Sequence, residues 1–474
     1  MRLRLGALFA AVFACFLVWA LIKPIFQSPD EFAHLTKALS VPAQPWISPS
    51  FKIEVHEHLY NPLLDYPYLH QVPFHPKRTF SGDTIDELQA TRWSKRGDWS
   101  TEPHRTTSFI YPNLYFGLVF ALGQAATELL SLSPYDSVYA FRIASAALSA
   151  ALWTVVFVAL RCLGRYRTPV FALLVLQPML VFMSSTIHPD ALALPLSMLV
   201  AITAFDAIAL GRGLGVAMAC LLALLFAKSN AVVVFPVLAS LAVAVWSLAR
   251  VGLTTLRVHW RNAAVLVIGC FAVFQLSFYH WSPMVILWYG FEESLLSYLQ
   301  HLVFRVPGFF MGYWGAFGWL DYTAPSWVYL VILGLLLANA AALGWSWRTH
   351  GSEPRQVWLL AFSALYAAAL VAAEFVYVPR AGYAIQGRHF LPAALGLLVV
   401  VCHPTTWLRR AFVASLVVFN VYCLNLTVDR YYDGDWTLVA RALPFRGAPS
   451  PALPSLSPVE RGTAPLGGGD HDPE

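Results

Sequence analysis

Residues 111–130 read YPNLYFGLVFALGQAATELL, with one acidic group, Glu128, and no basic one. That stretch is long and apolar enough to cross ~30 Å of hydrocarbon. Whether it crosses decides the side of the membrane on which every later loop falls, because each crossing switches sides. The charges of those loops set the expectation. Without a crossing at 111–130, Arg161, Arg165, Arg167, Arg212, Arg250, Arg257, Arg261, Arg348, Arg355, Arg409 and Arg410 share a side with Arg2 and Arg4 at the N-terminus. The other side keeps Lys228, Arg305, Arg380 and Arg388. Arginine and lysine gather in short cytoplasmic loops. The charges therefore predict a re-entrant or interfacial segment at 110–131, a cytoplasmic N-terminus and an external C-terminus.

Outward from this segment the chain is 58% hydrophobic and 12% charged, where a soluble domain carries about 25% charged residues. Apolar runs recur from Leu5 to Leu426 with short polar breaks, and in lipid such runs must be helical to satisfy their own backbone. The reading is an all-α polytopic membrane protein with about eleven spans. They fall at roughly 5–26, 138–160, 168–187, 190–210, 213–227, 229–250, 262–281, 325–346, 357–377, 388–403 and 407–427. Residues 1–430 form the transmembrane domain, with a large first external loop at 27–109 that starts in a juxtamembrane helix. The first run lacks a small-x-small site before Lys23-Pro24 and reads as a retained span.

The basic residues form small groups between spans, which excludes a nucleic-acid-binding stripe. All six cysteines lie in or beside apolar runs, which argues against a disulfide-stapled ectodomain or a cysteine-ligated metal. Residues 288–310 suit an amphipathic helix on the outer surface. The tail 442–474, with seven prolines and five glycines, is expected to be disordered.

Residues able to do chemistry concentrate at external span ends. The first loop opens with SPDEFAHLTKA, residues 28–38. Ser28 suits a cap and Pro29 a first turn, so Asp30 and Glu31 fall at a helix N-terminus, where the dipole favours carboxylates. Asp30 and His34 share a face at i, i+4, with Lys37 one turn on. A capped helix start explains these residues as well as chemistry does, until location is considered: a carboxylate at headgroup level is where a base meets a lipid-linked substrate. Asp190, in SSTIHPDALALPL, falls on the same side, although it could simply begin the next helix. Lys228 interrupts an apolar run as a snorkelling lysine or a functional cation. Arg142, Arg305, Arg380, Arg388 and His389 are further cations suited to an external cavity and a phosphate. His56 and His58, in EVHEHLY, could bind a metal with Glu54 or Glu57, though adjacent solvated histidines are the commoner case.

Five of these stretches, SPDEFAHLTKA near 30, SSTIHPDALAL near 190, AKSNAVVVFP at 227, YWGAFGWLD near 320 and QGRHFLPAALGLL near 390, carry a family resemblance. In that order they resemble the bacterial membrane family called domain of unknown function 2142, from the first span to about residue 430. That family in turn resembles the type C glycosyltransferases, multispan enzymes that take sugars from polyprenyl phosphate. The resemblance implies a type C bundle in the bacterial inner membrane. Asp30 would be its base, Glu31 the partner and Asp190 the second acid. Lys228, Arg305 or Arg388 would hold the donor phosphate, with His34, Lys37, Asp321 and His389 on the substrate. His188-Pro189 before the second acid departs from the small polar residue that relatives often have.

The expected reaction is inverting transfer from a polyprenyl-phosphate-linked sugar to a glycan or lipid acceptor of the cell envelope. A carboxylate takes the acceptor proton and cations stabilise the leaving phosphate. A divalent cation, magnesium or manganese, is compatible with that chemistry but not required by it. The rival readings are a transporter or flippase for lipid-linked saccharides, which would place charge pairs mid-span, and a non-catalytic polysaccharide assembly subunit.

Overall fold

The structure, a computed structural model, describes residues 2–42, 52–53, 55, 59–66, 68–69, 72, 78–93, 104–105, 113–228, 234–250, 258–277, 295–318, 322–381 and 386–445. Helices dominate, as apolar runs in lipid require. Helix α1 (Arg2–Ile22) ends ahead of Pro24 and is followed by α2 (Glu31–Ser40). Helix α3 (Gly82–Ala90) starts at Ser81, whose Oγ accepts from Thr84 N at 3.2 Å. Helices α4 (Asn113–Leu129) and α5 (Pro134–Ala159) form a hairpin, with Ser133 capping α5 and Pro134 in its first turn.

Then come α6 (Arg167–Leu176), α7 (Pro178–Ser184), α8 (Asp190–Ala209), α9 (Leu214–Ala227), α10 (Val234–Arg250), α11 (Trp260–Ser277) and α12 (Leu295–Gly315). The chain finishes with α13 (Ser326–His350), α14 (Pro354–Ala381), a mixed 3-10 and α segment over Gly387–Val401, α15 (Thr406–Tyr432) and α16 (Trp436–Ala442). The described strands are two-residue antiparallel pairs: Lys52–Ile53 with His104–Arg105, and Ala316–Phe317 with Tyr322–Thr323.

Among the described residues, six helical stretches are long and apolar enough to cross a membrane: Arg4–Ile22, Pro134–Leu176, Asp190–Ala209, Ser326–His350, Pro354–Ala372 and Thr406–Tyr432. Leu214–Ala227 and Gly387–Val401 are shorter apolar helices. The expected count of about eleven is not confirmed among the described residues. The expected span 168–187 is two helices, because Pro178 has no N–H to continue α6. Gln177 stays extended there, and its side chain accepts from Leu180 N and donates to Tyr313 O. The expected 213–227 is helical over Leu214–Ala227, 14 residues, fewer than the ~20 that span the hydrocarbon. The expected 229–250 starts outside the described residues, as do Glu292 and Glu293 of the expected surface helix, whose later part is the start of α12. The tail beyond Phe445 also lies outside them.

Helix α4 packs along the first half of α5. Tyr115 Oη is 2.9 Å from Ser145 Oγ, and Gly123 makes room for the Phe141 ring. The described part of α4 is 17 residues, about 26 Å at 1.5 Å per residue. Helix α8, at 1.5 Å per residue, spans about 30 Å and separates two charged ends. At its C-terminal end Asp206 pairs with Arg355, and both lie near Cys162. Four residues after Cys162, Tyr166 has Arg165 and Arg409 over its ring at 5.0 and 5.3 Å. Asp190 and its partners stand at the other end.

Inside, α1 is tied to α15 by Trp19 Nε1 donating to Asn420 Oδ1 at 2.8 Å, and Trp19, Trp153, Trp314 and Tyr139 are fully buried. Outside, Phe304 (82% exposed), Val418 (69%) and Leu330 (67%) stand clear of the fold. Large apolar side chains so exposed along helices fit hydrocarbon, not water.

Candidate functional site

The site starts where α1 stops. The last carbonyls of a helix have no partner within it, and here Arg142 of α5 takes them. Its Nη1 donates to Ala20 O (3.1 Å) and Lys23 O (2.5 Å), and its Nη2 to Pro24 O (2.6 Å). The remaining donors form a fork on Glu31, Nε to Oε1 at 2.7 Å and Nη2 to Oε2 at 2.6 Å, with both side chains fully buried. Glu31 also accepts from Phe26 N at 3.1 Å. All five guanidinium N–H groups are engaged, so Arg142 has none left for a phosphate. Glu31 is held as a latch that docks α2 on α5, not as a proton acceptor open to substrate.

Asp30 is placed differently. The helix starts at Glu31 rather than at a Ser28 cap, and Asp30 is its N-terminal neighbour in the left-handed region (φ 57°, ψ 11°) with no side-chain capping bond. Aspartate tolerates this region better than most residues, but such a conformation persists only where its surroundings hold it. The carboxylate is 39% exposed, and its Oδ2 lies 3.6 Å from Arg388 Nη2.

Arg388 reaches this point because Gly387 has no side chain. A Cβ at 387 would overlap Phe309 O and Tyr313 N of α12, so the 3-10 turn can lie directly on that helix backbone. Arg388 is only 7% exposed, and no hydrogen-bond partner is found for its Nη1 among the described residues. His389 Nδ1 accepts from Gln386 N at 3.3 Å, which caps the same turn.

Asp190 opens α8 from a buried position and pairs through Oδ1 with Lys228, at the C-terminal end of α9. Its Oδ2 is 3.3 Å from His188 Nδ1. The His188 ring in turn meets the His34 ring edge-on, with centroids 4.5 Å apart. Burial pushes both imidazoles well below their ordinary pKa, and the cations Lys228 and Arg388 add to the shift. Asp190, Lys228, Arg388 and His389 line a small cavity with Ser197 and Tyr366.

The structure thus brings together Asp30, His34, Asp190, Lys228, Arg388 and His389. Lys37 is buried on α2, where burial lowers its pKa to about 8, and it does not line the cavity. Arg305 is exposed on α12 between Phe304 and Val306, also away from the cavity. Asp321, His56 and His58 lie outside the described residues, as does the Arg380 side chain. Sequence reading missed His188 as a site residue, because a histidine before Pro189 reads as a lead-in to the helix. It also missed the Glu31–Arg142 pair, whose partners are 111 residues apart with no spacing signal between them. Two carboxylates and two cations beside a cavity can hold an anion next to a group that accepts protons.

No curated protein and no solved structure matches the chain. The family model for domain of unknown function 2142, described as a predicted membrane protein, matches residues 13–397 and so takes in every residue of this cluster. With most of its length covered by that match, the chain belongs to the membrane-protein family of domain of unknown function 2142.

Proposed function

We propose that the protein is an inverting glycosyltransferase that moves a sugar from a polyprenyl-phosphate-linked donor to a glycan or lipid acceptor of the cell envelope. It works on the external face of the bacterial inner membrane, with its N-terminus in the cytoplasm. The observation that carries this reading is Arg388: a buried guanidinium at a cavity, with Nη1 lacking a hydrogen-bond partner among the described residues and its other arm toward the half-exposed Asp30. A buried donor without a partner is costly in a folded protein, and an anionic oxygen relieves that cost.

In the reaction the acceptor hydroxyl gives its proton to the Asp30 carboxylate as its oxygen attacks the anomeric carbon. The bond from that carbon to the phosphate oxygen breaks, and its electron pair leaves on the polyprenyl phosphate. Arg388, and Lys228 from its pair with Asp190, stabilise the charge gathering there. Attack and departure on opposite faces invert the centre. A base at a span end suits a donor whose lipid tail stays in the bilayer.

The test is mass analysis of surface glycans and lipid-linked sugars in a deletion strain complemented with the wild-type chain or with Asp30→Asn. The expected result is loss of one sugar from the glycan and accumulation of its polyprenyl-phosphate form, restored by the wild type but not by Asp30→Asn. Unchanged glycans and lipid-linked pools after deletion would overturn the reading. Full restoration by Asp30→Asn would remove the base and leave movement of the lipid-linked sugar as the better account.

A further inference from the structure

The cavity and its cations serve the proposed phosphate, but the histidines beside them do not. Among the described residues, Asp30, His34 and His188 each offer one ligand atom, and these atoms all lie within 4.8 Å of one another. We propose that these three side chains bind one divalent first-row transition ion, such as zinc or manganese, with open positions toward the cavity. Such a site would stand whether or not the protein transfers sugar.

The donor set is two imidazoles and one carboxylate. Ligands about 2.0–2.2 Å from an ion sit roughly 3–4 Å apart, so closure needs side-chain adjustments of about an ångström. Such a set suits zinc, manganese or ferrous iron, whereas magnesium takes oxygen ligands and keeps its waters. Both histidines are buried.

His188 carries a second mark of a ligand. A metal-bound imidazole usually donates its other N–H to a carboxylate, which fixes the tautomer and ring orientation. Asp190 Oδ2 is 3.3 Å from His188 Nδ1, and Asp190 is itself anchored by Lys228. With the proton on Nδ1, the Nε2 lone pair is available to an ion. The alternative tautomer, in which Nδ1 accepts from Asp190 N at 3.0 Å, puts a proton on Nε2 and binds no metal. An ion selects between the two. Asp30 is the exchangeable member: it is half-exposed, its link to Arg388 is long, and ligation through one carboxylate oxygen leaves the other to accept a proton.

Charge sets a further condition. Asp30 and Asp190 balance Arg388 and Lys228, so a divalent ion leaves the cluster with two positive charges. A phosphate dianion restores neutrality, and metal and phosphate should therefore strengthen each other's binding.

The test uses the full chain purified in detergent, stripped with a chelator and dialysed separately against zinc, manganese and cobalt in excess magnesium. Elemental analysis should give one transition ion per chain, and the cobalt form should show the visible absorption of a nitrogen-ligated ion. His34→Ala and His188→Ala should each weaken binding by roughly 100-fold, and Asp190→Asn by about 10–100-fold through loss of the orienting carboxylate. Asp30→Asn, a mild change, tests the site even if the buried histidine variants do not fold. Adding inorganic phosphate should tighten manganese binding in the wild type. A wild-type chain that retains none of the three ions would overturn the proposal, as would folded His34→Ala and His188→Ala chains that bind as much metal as the wild type. Neither result touches the glycan test, so failure of the metal site and failure of the transferase reading are distinguishable.

Discussion

Replacing Glu31 by glutamine keeps the side-chain shape but removes the charge that the Arg142 guanidinium faces. Both side chains are fully buried, and the fork between them has contacts of 2.6 and 2.7 Å. The guanidinium would keep its bonds to the carbonyls of Ala20, Lys23 and Pro24, but its charge would be uncompensated. Breaking a buried pair from one side costs about 3–5 kcal/mol, a large share of the 5–15 kcal/mol typical of a folded protein. Glu31→Gln should therefore express poorly and melt at least several degrees below the wild type in detergent. Asp30→Asn, one residue away, should shift stability by less than ~1 kcal/mol: it breaks no capping bond, its ion pair is long and half-exposed, and asparagine tolerates the left-handed backbone. Adding Arg142→Met to Glu31→Gln should recover part of the loss, because the unpaired charge goes too. The assay is thermal unfolding of the four proteins by tryptophan fluorescence. A Glu31→Gln chain as stable as the wild type would refute the latch, and if it were also inactive, Glu31 would move into the chemistry.

Burial holds the Lys37 pKa near 8 against an ordinary 10.5, so between those values the unfolded chain binds the extra proton and stability rises with pH, by at most ~3 kcal/mol. Melting temperature followed from pH 7 to 10.5 should show that rise in the wild type, and Lys37→Met should flatten it; a flat wild-type profile would contradict the assignment. Gly387→Ala forces a Cβ into the α12 backbone, so it should cost roughly 1–3 kcal/mol and, by displacing Arg388, weaken binding of short-chain polyprenyl phosphate. Arg388→Ala should weaken that binding at least tenfold with little change in melting temperature, and unchanged affinity would remove Arg388 from the phosphate site. A reporter fused after Arg165 should read cytoplasm and one after His188 should read exterior, whereas a periplasmic signal at Arg165 would mean that 111–130 crosses.

Local chemistry made much of this fold legible. Apolar runs bounded by arginines marked the helices, and Pro134, Ser133 and Pro24 stand at helix ends as their backbone preferences require. Asp30, Asp190, Lys228 and Arg388 could be grouped from sequence alone, because charge counts put all four at span ends on one expected side. What stayed hidden depended on contacts between distant segments. Nothing in the spacing distinguishes Asp30 from Glu31, yet one is half-exposed beside Arg388 and the other is locked to a helix more than a hundred residues on. Pro178 breaks an otherwise continuous apolar run, and hydropathy does not register its missing N–H. Arg305 has the same charge as Arg388, and only the close approach at Gly387 places one at the cavity while the other sits on an exposed face.

The most direct test of the transferase account is sugar transfer per folded molecule, measured with purified wild type and Asp30→Asn on lipid-linked sugars extracted from the deletion strain. The wild type should release polyprenyl phosphate and transfer the sugar. Asp30→Asn, folded and of near-wild-type melting temperature, should be slower by roughly 10²- to 10⁴-fold, the usual effect of losing a general base. A stable Asp30→Asn protein that transfers at the wild-type rate would contradict Asp30 as the base, and a wild-type protein that transfers nothing from that pool would contradict the transferase itself.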